Sequence, residues 1–501
     1  MRVLVAGAGG AIGQQLIPLL TGAGHAVGAL LRSERKRDAL LAMGAIPFFA
    51  DALNSSAVRA IVERFVSQSF TSSIAPFAIY LPALVTVRLI NRNANELTIR
   101  SLRIGTIVLA LFLFGLGPAS RAQDLAIMHA TVYSAPDAPA RRDVTVVIRH
   151  GVIAEVGKHP RMPRDIETIS CQGCVALAGF WNAHVHFMEP KWNEAANQPV
   201  DKLDRQMSEM LNRSGFTTVV DTGSDGENTV ALRRRVQSGE VLGPRIITAG
   251  IPLFPAHALP YYLDVLPADV KAKMAQPETA ADAIIDVDNN RAAGYDIVKL
   301  FTGSIVSPDH ITPMKVSIAR AAVEEAHKHE QLVFAHSSNL EGTKVAIDAG
   351  VDVLAHTPEV TSGIDETMLR RMIAQHMTII PTLKLFSRDD NIANIRGLAF
   401  RYHQLGGRLV YGTDTGFLQD YDQSEEFRQL VQAGLGFRDV LAMLTTAPAE
   451  LFHLSQREGK VMPGMRGDLT ILSEDPASGR PEAFTTVRYT IRGGKVIWRS
   501  N

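Results

Sequence analysis

Cysteine and an excess of one charge are the two things that this sequence has little of. Only two cysteines, Cys171 and Cys174, occur in 501 residues, which excludes a fold built on many disulfide bonds. Lysine plus arginine and aspartate plus glutamate total 51 each, so no net charge attracts the chain to nucleic acid or to an anionic membrane. The length predicts more than one domain.

The two cysteines stand in the segment SCQGC, just before a predicted strand. A Cys-x-x-Cys pair is compatible with a redox pair or with half of a zinc site. No second pair occurs, and no βαβ pattern surrounds this one. Ordinary strand residues or a local disulfide are therefore the favoured interpretations.

Five short segments each place polar side chains at the end of an apolar run. They are NAHVHF with His184 and His186, DIVKLF with Lys299, VFAH with His336, VLAH with His356, and YGTDTG with Asp414. Each apolar run predicts a buried strand, and helical patterns lie between the runs. This alternation predicts an α/β fold of the (β/α)8 TIM-barrel type, in which the C-terminal strand ends form one face that carries the chemistry.

The spacing of the first two histidines has a physical reason. Alternate strand residues point to the same side, so His184 and His186 can both face the barrel mouth. Imidazole and carboxylate groups are ligands for zinc and similar divalent metals. A lone His-x-His is weak evidence, because many histidines only form hydrogen bonds. The later segments strengthen the prediction, since each repeats the same strand-end placement.

Residues 124–501 resemble the amidohydrolase superfamily, specifically its imidazolonepropionase-like and Xaa-Pro dipeptidase-like branch. The resemblance is carried by ALAGFWNAHVHF, SGFTTVVDTG, GPRIITAG, DIVKLF, the two AH segments, YGTDTG and GMRGDLTIL. It implies a barrel over residues 181–459. It also implies a small β-sandwich, built from residues 123–180 together with 460–501.

The resemblance also implies a set of ligands for two divalent metal ions, with zinc expected. His184, His186 and Asp414 would hold the more buried metal, and His336 and His356 the second. Lys299, carboxylated by carbon dioxide, would bridge the two metals; an unmodified ammonium repels a dication and cannot do so. A strand lysine paired with a nearby acid, or a site with one metal and no bridge, is the alternative for Lys299.

Asp414 is expected to act in catalysis as well as in metal binding. Metal-bound water has a lowered pKa, and a carboxylate beside it can take its proton and pass it to the leaving amine. The alternative for Asp414 is a helix N-cap, because Thr413-Asp414-Thr415-Gly416 is also favourable turn and cap chemistry.

Three further residues, His257, Tyr261 and Tyr262, follow the predicted strand RIITAGIPLF. They are expected to contact substrate, although a surface loop explains them equally well. Asn182 stands where relatives usually carry an acidic residue, two positions before the first ligand histidine. That departure is the best support for the alternative of a catalytically weak metal-binding scaffold.

The first 66 residues predict a partial Rossmann-like βαβ fragment. Gly7, Gly10 and Gly13 match the glycine-rich turn of extended short-chain dehydrogenase/reductases, where backbone amides approach a pyrophosphate. Arg32 ends the second strand where NAD binders prefer an acid, so any dinucleotide would be NADP. No Tyr-x-x-x-Lys pair follows. A remnant without NADP is therefore expected, and an NADP-dependent reductase is the alternative.

Residues 67–122 predict a linker that contains a secretory signal over 97–122. Arg100 and Arg103 supply the basic region, residues 104–117 the apolar stretch, and residues 120–122 a small-residue cleavage site. The expected location is periplasmic or extracellular, with the hydrolase starting near residues 85–97 and an upstream fragment joined by fusion or by misplaced gene boundaries. A membrane-associated linker is the alternative.

Taken together, these patterns predict an exported metal-dependent hydrolase of carbon–nitrogen bonds. Its substrate is expected to be a small amide, a dipeptide or a cyclic amide, attacked by metal-activated hydroxide. The expected partners are that substrate and further copies of the chain, with no nucleic acid.

Overall fold

The computed structural model describes residues 124–500 except 267, together with eight short stretches nearer the N-terminus. Those stretches are residues 2–6, 17–18, 20–21, 26–31, 36–49, 77–80, 88–90 and 99–101. The backbone divides into two compact units, residues 1–118 and 119–501. Among the described residues, no helix is both long enough and apolar enough to cross a lipid bilayer.

The N-terminal unit contains a six-stranded sheet in the order β3-β2-β1-β4-β5-β6. The bounds are β1 Arg2–Ala6, β2 Ala26–Leu31, α1 Arg37–Ala42, β3 Ala45–Phe49, β4 Phe77–Tyr80, β5 Arg88–Ile90 and β6 Ile99–Ser101. The first four strands pair in parallel, in the order 3-2-1-4 that Rossmann sheets also use.

The predicted dinucleotide-binding residues lie outside the described residues. They are Gly7, Gly10, Gly13 and Arg32. The signal-like segment 97–122 lies outside them as well, apart from β6. The NADP alternative and the export signal therefore stay predictions.

In the larger unit the strands fall into two groups, those of a flanking sheet and those of the parallel core. The flanking strands are β7 Leu125–Val132, β8 Arg141–Arg149, β9 Val152–Gly157, β10 Glu167–Ser170, β11 Val175–Ala178, β22 Leu469–Leu472, β23 Val487–Arg492 and β24 Lys495–Arg499. The remaining strands are β12 Phe180–Val185, β13 Phe216–Asp221, β14 Arg245–Thr248, β15 Val298–Phe301, β16 Gly303–Ser307, β17 His310–Pro313, β18 Val333–His336, β19 Val353–Leu354, β20 Thr378–Ile379 and β21 Arg408–Leu409.

Helices separate most of the core strands. The α-helices are α2 Val200–Met210, α3 Gly226–Gln237, α4 Ala268–Lys271, α5 Ala280–Ala292, α6 Val316–Lys328, α7 Leu340–Ala349, α8 Glu366–Ala374, α9 Ile392–Gln404, α10 Ser424–Gln432, α11 Phe437–Leu444 and α12 Thr446–Leu451. Short 3-10 turns cover Pro190–Trp192, Asn212–Ser214, Tyr261–Leu263, Pro476–Ser478 and Pro481–Thr485.

Residues from both ends of the larger unit build one flanking sheet. Its order is β24-β23-β22-β11-β7-β8-β9, with β10 also paired to β7. Inward residues of this sheet, such as Ile127, Val146 and Ile471, form an apolar cluster of their own. Cys171 and Cys174 form a local disulfide between β10 and β11. The strands form one hydrogen-bonded sheet, so the predicted β-sandwich is not confirmed.

The core strands form two parallel sheets, β12-β13-β14 and β15-β18-β19-β20-β21. Most of their residues are buried, and the majority are apolar, as expected for parallel strands that are covered on both faces. The mixed α/β architecture is thus confirmed, but the described ladders do not close into one barrel. Single parallel bridges join the sheets instead, Val185 to Thr415 and Leu253 to Leu300.

The opening at the first of these joints has a local cause. Asp414 has a left-handed backbone with φ of 58°, which a continuous strand cannot contain. The Ala183 amide donates to the Tyr411 carbonyl, and the His186 amide donates to the Thr415 carbonyl, both at 2.8 Å. The two segments therefore stay hydrogen-bonded on both sides of Asp414 and through its own amide, but the regular strand ladder is interrupted there.

One buried hydroxyl connects the flanking sheet to the first core strand. Thr470 Oγ1 on β22 accepts from the Phe180 amide at 3.1 Å and donates to the Gly215 carbonyl at 2.7 Å. All three residues lie in the interior where β12 begins. A hydroxyl that bonds at both ends is costly to replace, because the two backbone groups then lose their partners.

We expect Thr470→Val to lower the free energy of unfolding by about 1–3 kcal/mol, the cost of leaving buried polar groups unpaired. Urea unfolding of the full chain measures it. Thr168→Val, at an exposed position of β10 in the same sheet, is the matched control and should change stability by less than about 0.5 kcal/mol. Equal effects from the two substitutions would contradict the connecting role of Thr470.

Candidate metal centre

Two strand-end histidines and one aspartate converge at the end of β12. The Asp414 Oδ1 atom lies 3.3 Å from His184 Nε2 and 2.9 Å from His186 Nε2. Their donor atoms all lie within 4.8 Å of one another. His184 Nε2 and Asp414 Oδ1 are buried without an aligned hydrogen bond. The three side chains are therefore close enough together to share one metal ion.

Two more histidines extend this group. The ring of His356 lies 4.4 Å from that of His184 and 4.8 Å from that of His336, measured between centroids. Both added histidines are buried, and His336 Nε2 has no hydrogen-bond partner. His336 also stacks on Phe301, with 4.9 Å between centroids.

Hydrogen bonds to the other ring nitrogens fix the orientation of two of these histidines. His186 Nδ1 contacts the Gly223 carbonyl at 2.6 Å, and His356 Nδ1 contacts Thr382 Oγ1 at 2.7 Å. A partner at Nδ1 leaves Nε2 free as the ligand atom, which is how metal-binding histidines are usually held.

Asn182 holds the two segments that carry the ligands together. Its Nδ2 donates to Thr413 Oγ1 at 2.7 Å, and its Oδ1 accepts from the His184 amide at 3.2 Å. The Asp414 amide donates to the His184 carbonyl at 2.9 Å. Asn182 is fully buried, so an amide side chain supplies the positioning contacts beside the first ligand histidine.

Lys299 stands among the same side chains. It is 2% exposed, and its Nζ lies 5.5 Å from the Phe301 ring centroid. Burial lowers the pKa of Lys299 to about 7, against a smaller opposing effect of the Asp414 charge. A large fraction of this lysine is therefore a neutral amine near neutral pH, the form that reacts with carbon dioxide.

Burial also keeps three of the histidines neutral. It lowers the pKa of His184 to about 4 and that of His336 to about 3, and it holds the pKa of His356 well below 6.5. Neutral imidazole is the form that binds metal. Burial alone would raise the pKa of Asp414, but His184 and His186 outweigh it and hold that pKa well below its ordinary value.

The donor set fits divalent metal ions. It combines neutral imidazoles, an ionised carboxylate and buried donor atoms that lack partners, and such atoms are costly unless something binds them. Nitrogen ligands with a carboxylate suit zinc and its neighbours. All six predicted ligand residues stand together here. A second group of possible donors, Asp288, Glu325 and His329, lies towards the surface, where Glu325 also pairs with Lys328 at 2.8 Å.

The predicted substrate residues fall in different places. Tyr262 is mostly buried, with its ring 5.7 Å from that of Phe417. Burial raises the pKa of Tyr262, and the charges of Asp414 and Glu359 add to the rise, so its hydroxyl lies within electrostatic reach of the centre. Tyr261 packs edge-on against Tyr262 and is exposed. His257 is exposed and pairs with Glu278 at 3.1 Å.

Sequence reasoning missed Asp221, a buried carboxylate at the end of β13 beside the centre. Thr248 Oγ1 donates to its Oδ2 at 2.7 Å, and Ser224 Oγ donates to its Oδ1 at 2.6 Å. Burial raises the pKa of Asp221, although the nearby His186 opposes the rise. An acid at a strand end, in VVDTG, was the signal available. The contact of Thr382 with His356 could not be predicted from the sequence, because a threonine after a short strand can form many different hydrogen bonds.

The chain is similar to one protein family and to several known proteins. The sequence profile of the amidohydrolase family matches residues 175–497. Ochratoxinase from Aspergillus niger is 23% identical over 424 residues, covering 74% of this chain and 86% of that protein. Dihydroorotase from Clostridium acetobutylicum is 24% identical over 400 residues, covering 67% and 90%. A solved Xaa-Pro dipeptidase with bound methionine superposes with a TM-score of 0.64 at 21% identity, covering 75% and 100%.

Gly416 provides a test of how tightly the backbone closes around His186. A Cβ atom there would lie 1.9 Å from the His186 carbonyl oxygen. We expect Gly416→Ala to displace the His186 segment and to lower both bound metal, measured by mass spectrometry, and turnover.

Gly464→Ala is the matched control for this substitution. Gly416 and Gly464 have similar positive φ values, 104° and 90°, but nothing lies within 4 Å of a Cβ at Gly464. Both substitutions therefore put a side chain on a residue with positive φ. Only Gly416→Ala also brings a Cβ atom against the His186 carbonyl oxygen. Equal metal content in the two variants would contradict the prediction.

Proposed function

The chain belongs to the amidohydrolase family and hydrolyses carbon–nitrogen bonds, and we propose that its substrate is a small amide or a dipeptide. We propose two divalent metal ions, zinc by preference, as its cofactors. The observation that carries the proposal is the set of buried donor atoms without partners on His184, His336 and Asp414. The relatives named as an ochratoxinase and an Xaa-Pro dipeptidase support an amide substrate of this size.

In this proposal the two parallel sheets act as one barrel around the centre. The single bridges at Val185 and Leu253 support this interpretation, because they join both edges of the two sheets. The face formed by the strand ends then presents all the ligands to one entrance.

The residues that would hold the metals divide into two sets. His184, His186 and Asp414 would hold one ion, and His336 and His356 the other. Bound at these residues, such ions would supply a Lewis acid for the substrate carbonyl and would lower the pKa of water towards neutrality.

Lys299 would supply the bridge after carboxylation. Its neutral amine adds carbon dioxide and loses one proton, which leaves an anionic carbamate in place of the ammonium. The lowered pKa of Lys299, about 7, supports this step because only the unprotonated amine reacts. The carbamate also removes the cost of a cation buried among ligands.

Asp414 would move the proton. Its pKa lies well below the ordinary value, so the carboxylate is ionised and can accept a proton from the attacking water. The same carboxylate then returns that proton to the leaving nitrogen, which makes the amine a better leaving group. Tyr262, within electrostatic reach of Asp414, would contact the substrate. Asn182 keeps the ligand segments aligned, which weakens the case for an inactive scaffold.

We expect Asp414→Asn to reduce kcat by at least ~10²-fold, within or beyond the ~10²–10⁴-fold typical of a lost general acid–base group. The amide keeps the size of the carboxylate but cannot accept and return a proton. The measurement is hydrolysis of a panel of N-acyl amino acids and dipeptides, with metal content determined on the same samples. A folded, metal-loaded variant with near-normal kcat would remove Asp414 from the mechanism. A metal-loaded wild-type chain that cleaves nothing in the panel would contradict the proposed substrate class.

We expect Lys299→Ala to lower metal content from about two ions per chain, the number that a two-metal site requires, to one or none. Turnover should fall with it, because the bridging carboxylate is lost. Metal analysis in the presence of zinc and bicarbonate makes the measurement. Lys328→Ala is the control, because Lys328 is an exposed lysine paired with Glu325. Two metals retained in Lys299→Ala would refute the bridge.

A further inference from the structure

A cavity of about 610 Å³ lies in the loops that follow β15, β19 and β20. This volume falls within the range of roughly 300–1,000 Å³ that small-molecule sites occupy. Strand β15 contains Lys299, whereas His356 follows β19 and Thr382 follows β20. The cavity walls are therefore direct continuations of the strands that build the candidate metal centre.

One hydrogen bond and one electrostatic interaction show that the cavity lies near the candidate metal centre. The amide of Val360, in the cavity wall, donates to the carbonyl of Ser338 at 3.0 Å, and Ser338 follows His336 by two residues. Tyr262 lies within electrostatic reach of both Asp414 and Glu359, so it is near the proton-transfer residue and near one wall of the cavity.

The walls of the cavity have two kinds of surface. Ile305, Pro308 and Ile311, from the β16–β17 hairpin, supply an apolar side. Glu359 and Asp389 supply carboxylates. None of the ten lining residues is a lysine, an arginine or a histidine.

The two carboxylates differ in exposure, since Glu359 is half-buried and Asp389 is exposed. Neither forms an ion pair with a described residue; the amide of Asn391 donates to Asp389 Oδ1 at 2.7 Å. Burial, and after it the charge of Asp389, raise the pKa of Glu359 to about 7. The charged form of a half-buried carboxylate near a second one is destabilised, and an entering cation would relieve that cost.

We propose that this cavity is a substrate subsite for a cationic side chain, an ammonium or guanidinium group on an aliphatic stem as in lysine or arginine. The stem would lie along the hairpin isoleucines, and the head would reach Glu359 and Asp389. Long basic side chains divide their apolar and charged parts in this way. The inference rests on the proposed function, since it names the class of substrate that the amide hydrolase selects.

The test compares two capped amino acids that differ only in charge. N-acetyl-L-lysine methylamide and N-acetyl-L-norleucine methylamide are titrated into the metal-loaded full chain, and dissociation constants are taken from ligand-observed NMR. We expect the lysine probe to bind at least about tenfold more tightly, as charge-assisted hydrogen bonds to carboxylates allow. Glu359→Gln should remove this selectivity and leave norleucine binding unchanged, and Asp389→Asn should reduce it.

Glu341→Gln is the matched control, because Glu341 is an exposed glutamate on α7 that pairs with Lys344. It should leave the selectivity intact. Equal binding of the two probes to the wild-type chain, or selectivity that survives in Glu359→Gln, would overturn the inference.

Hydrolysis separates this inference from the proposed function. A chain that selects the lysine probe but cleaves no amide in the panel supports the subsite and contradicts the proposed substrate class. A chain that cleaves dipeptides without selecting lysine contradicts the subsite alone.

Discussion

The larger unit depends on one constraint, the cost of burying polar donor atoms that have no partner within the chain. His184, His336 and Asp414 each bury such an atom, and each costs about 1–3 kcal/mol when nothing binds it. Apolar packing of the parallel strands has to offset that cost. Donors from separate strands share one position, so one set of bound ions can satisfy them together.

The supporting contacts decide what that position can do. A carbonyl fixes the His186 ring and a threonine fixes the His356 ring, while Asn182 ties the first histidine strand to the aspartate segment. Such contacts keep ligands in place without making further charges. The same burial that makes these contacts necessary lowers the pKa values of His184, His336, His356 and Lys299. Structure and reactivity in this centre therefore have a common physical origin.

The strand-end residues could be predicted from the sequence because their signal is local. A polar residue at the end of an apolar run stays near the end of a strand in any parallel α/β arrangement, so the places of His184 near the end of β12 and of His336 at the end of β18 could be predicted. Lys299 is instead the second residue of β15, and Asp414 lies beyond the end of β21. The α/β class followed from the same alternation. The break in the strand ladder could not be predicted, because it arises from the left-handed backbone of Asp414.

Loop residues were harder to assign, because tertiary contacts determine where a loop side chain points. Nothing in the sequence distinguishes His257, which pairs with Glu278 on the surface, from Tyr262, which packs against Phe417 near the centre. The acidic cavity is another example. Glu359 and Asp389 lie 30 positions apart in the sequence, and only the packing of two loops brings them to one cavity.

The flanking sheet has a consequence for how the protein is made. Strand β11 pairs with β22, so Val175 lies opposite Leu472, and the strand that carries His184 starts against that sheet. A ribosome releases the first ligand residues long before the last strands of the sheet exist. Contacts between segments so distant in sequence form slowly, and the emerging chain exposes unpaired strand edges in the meantime. The sheet against which the strand carrying His184 begins is thereby completed only at the end of synthesis.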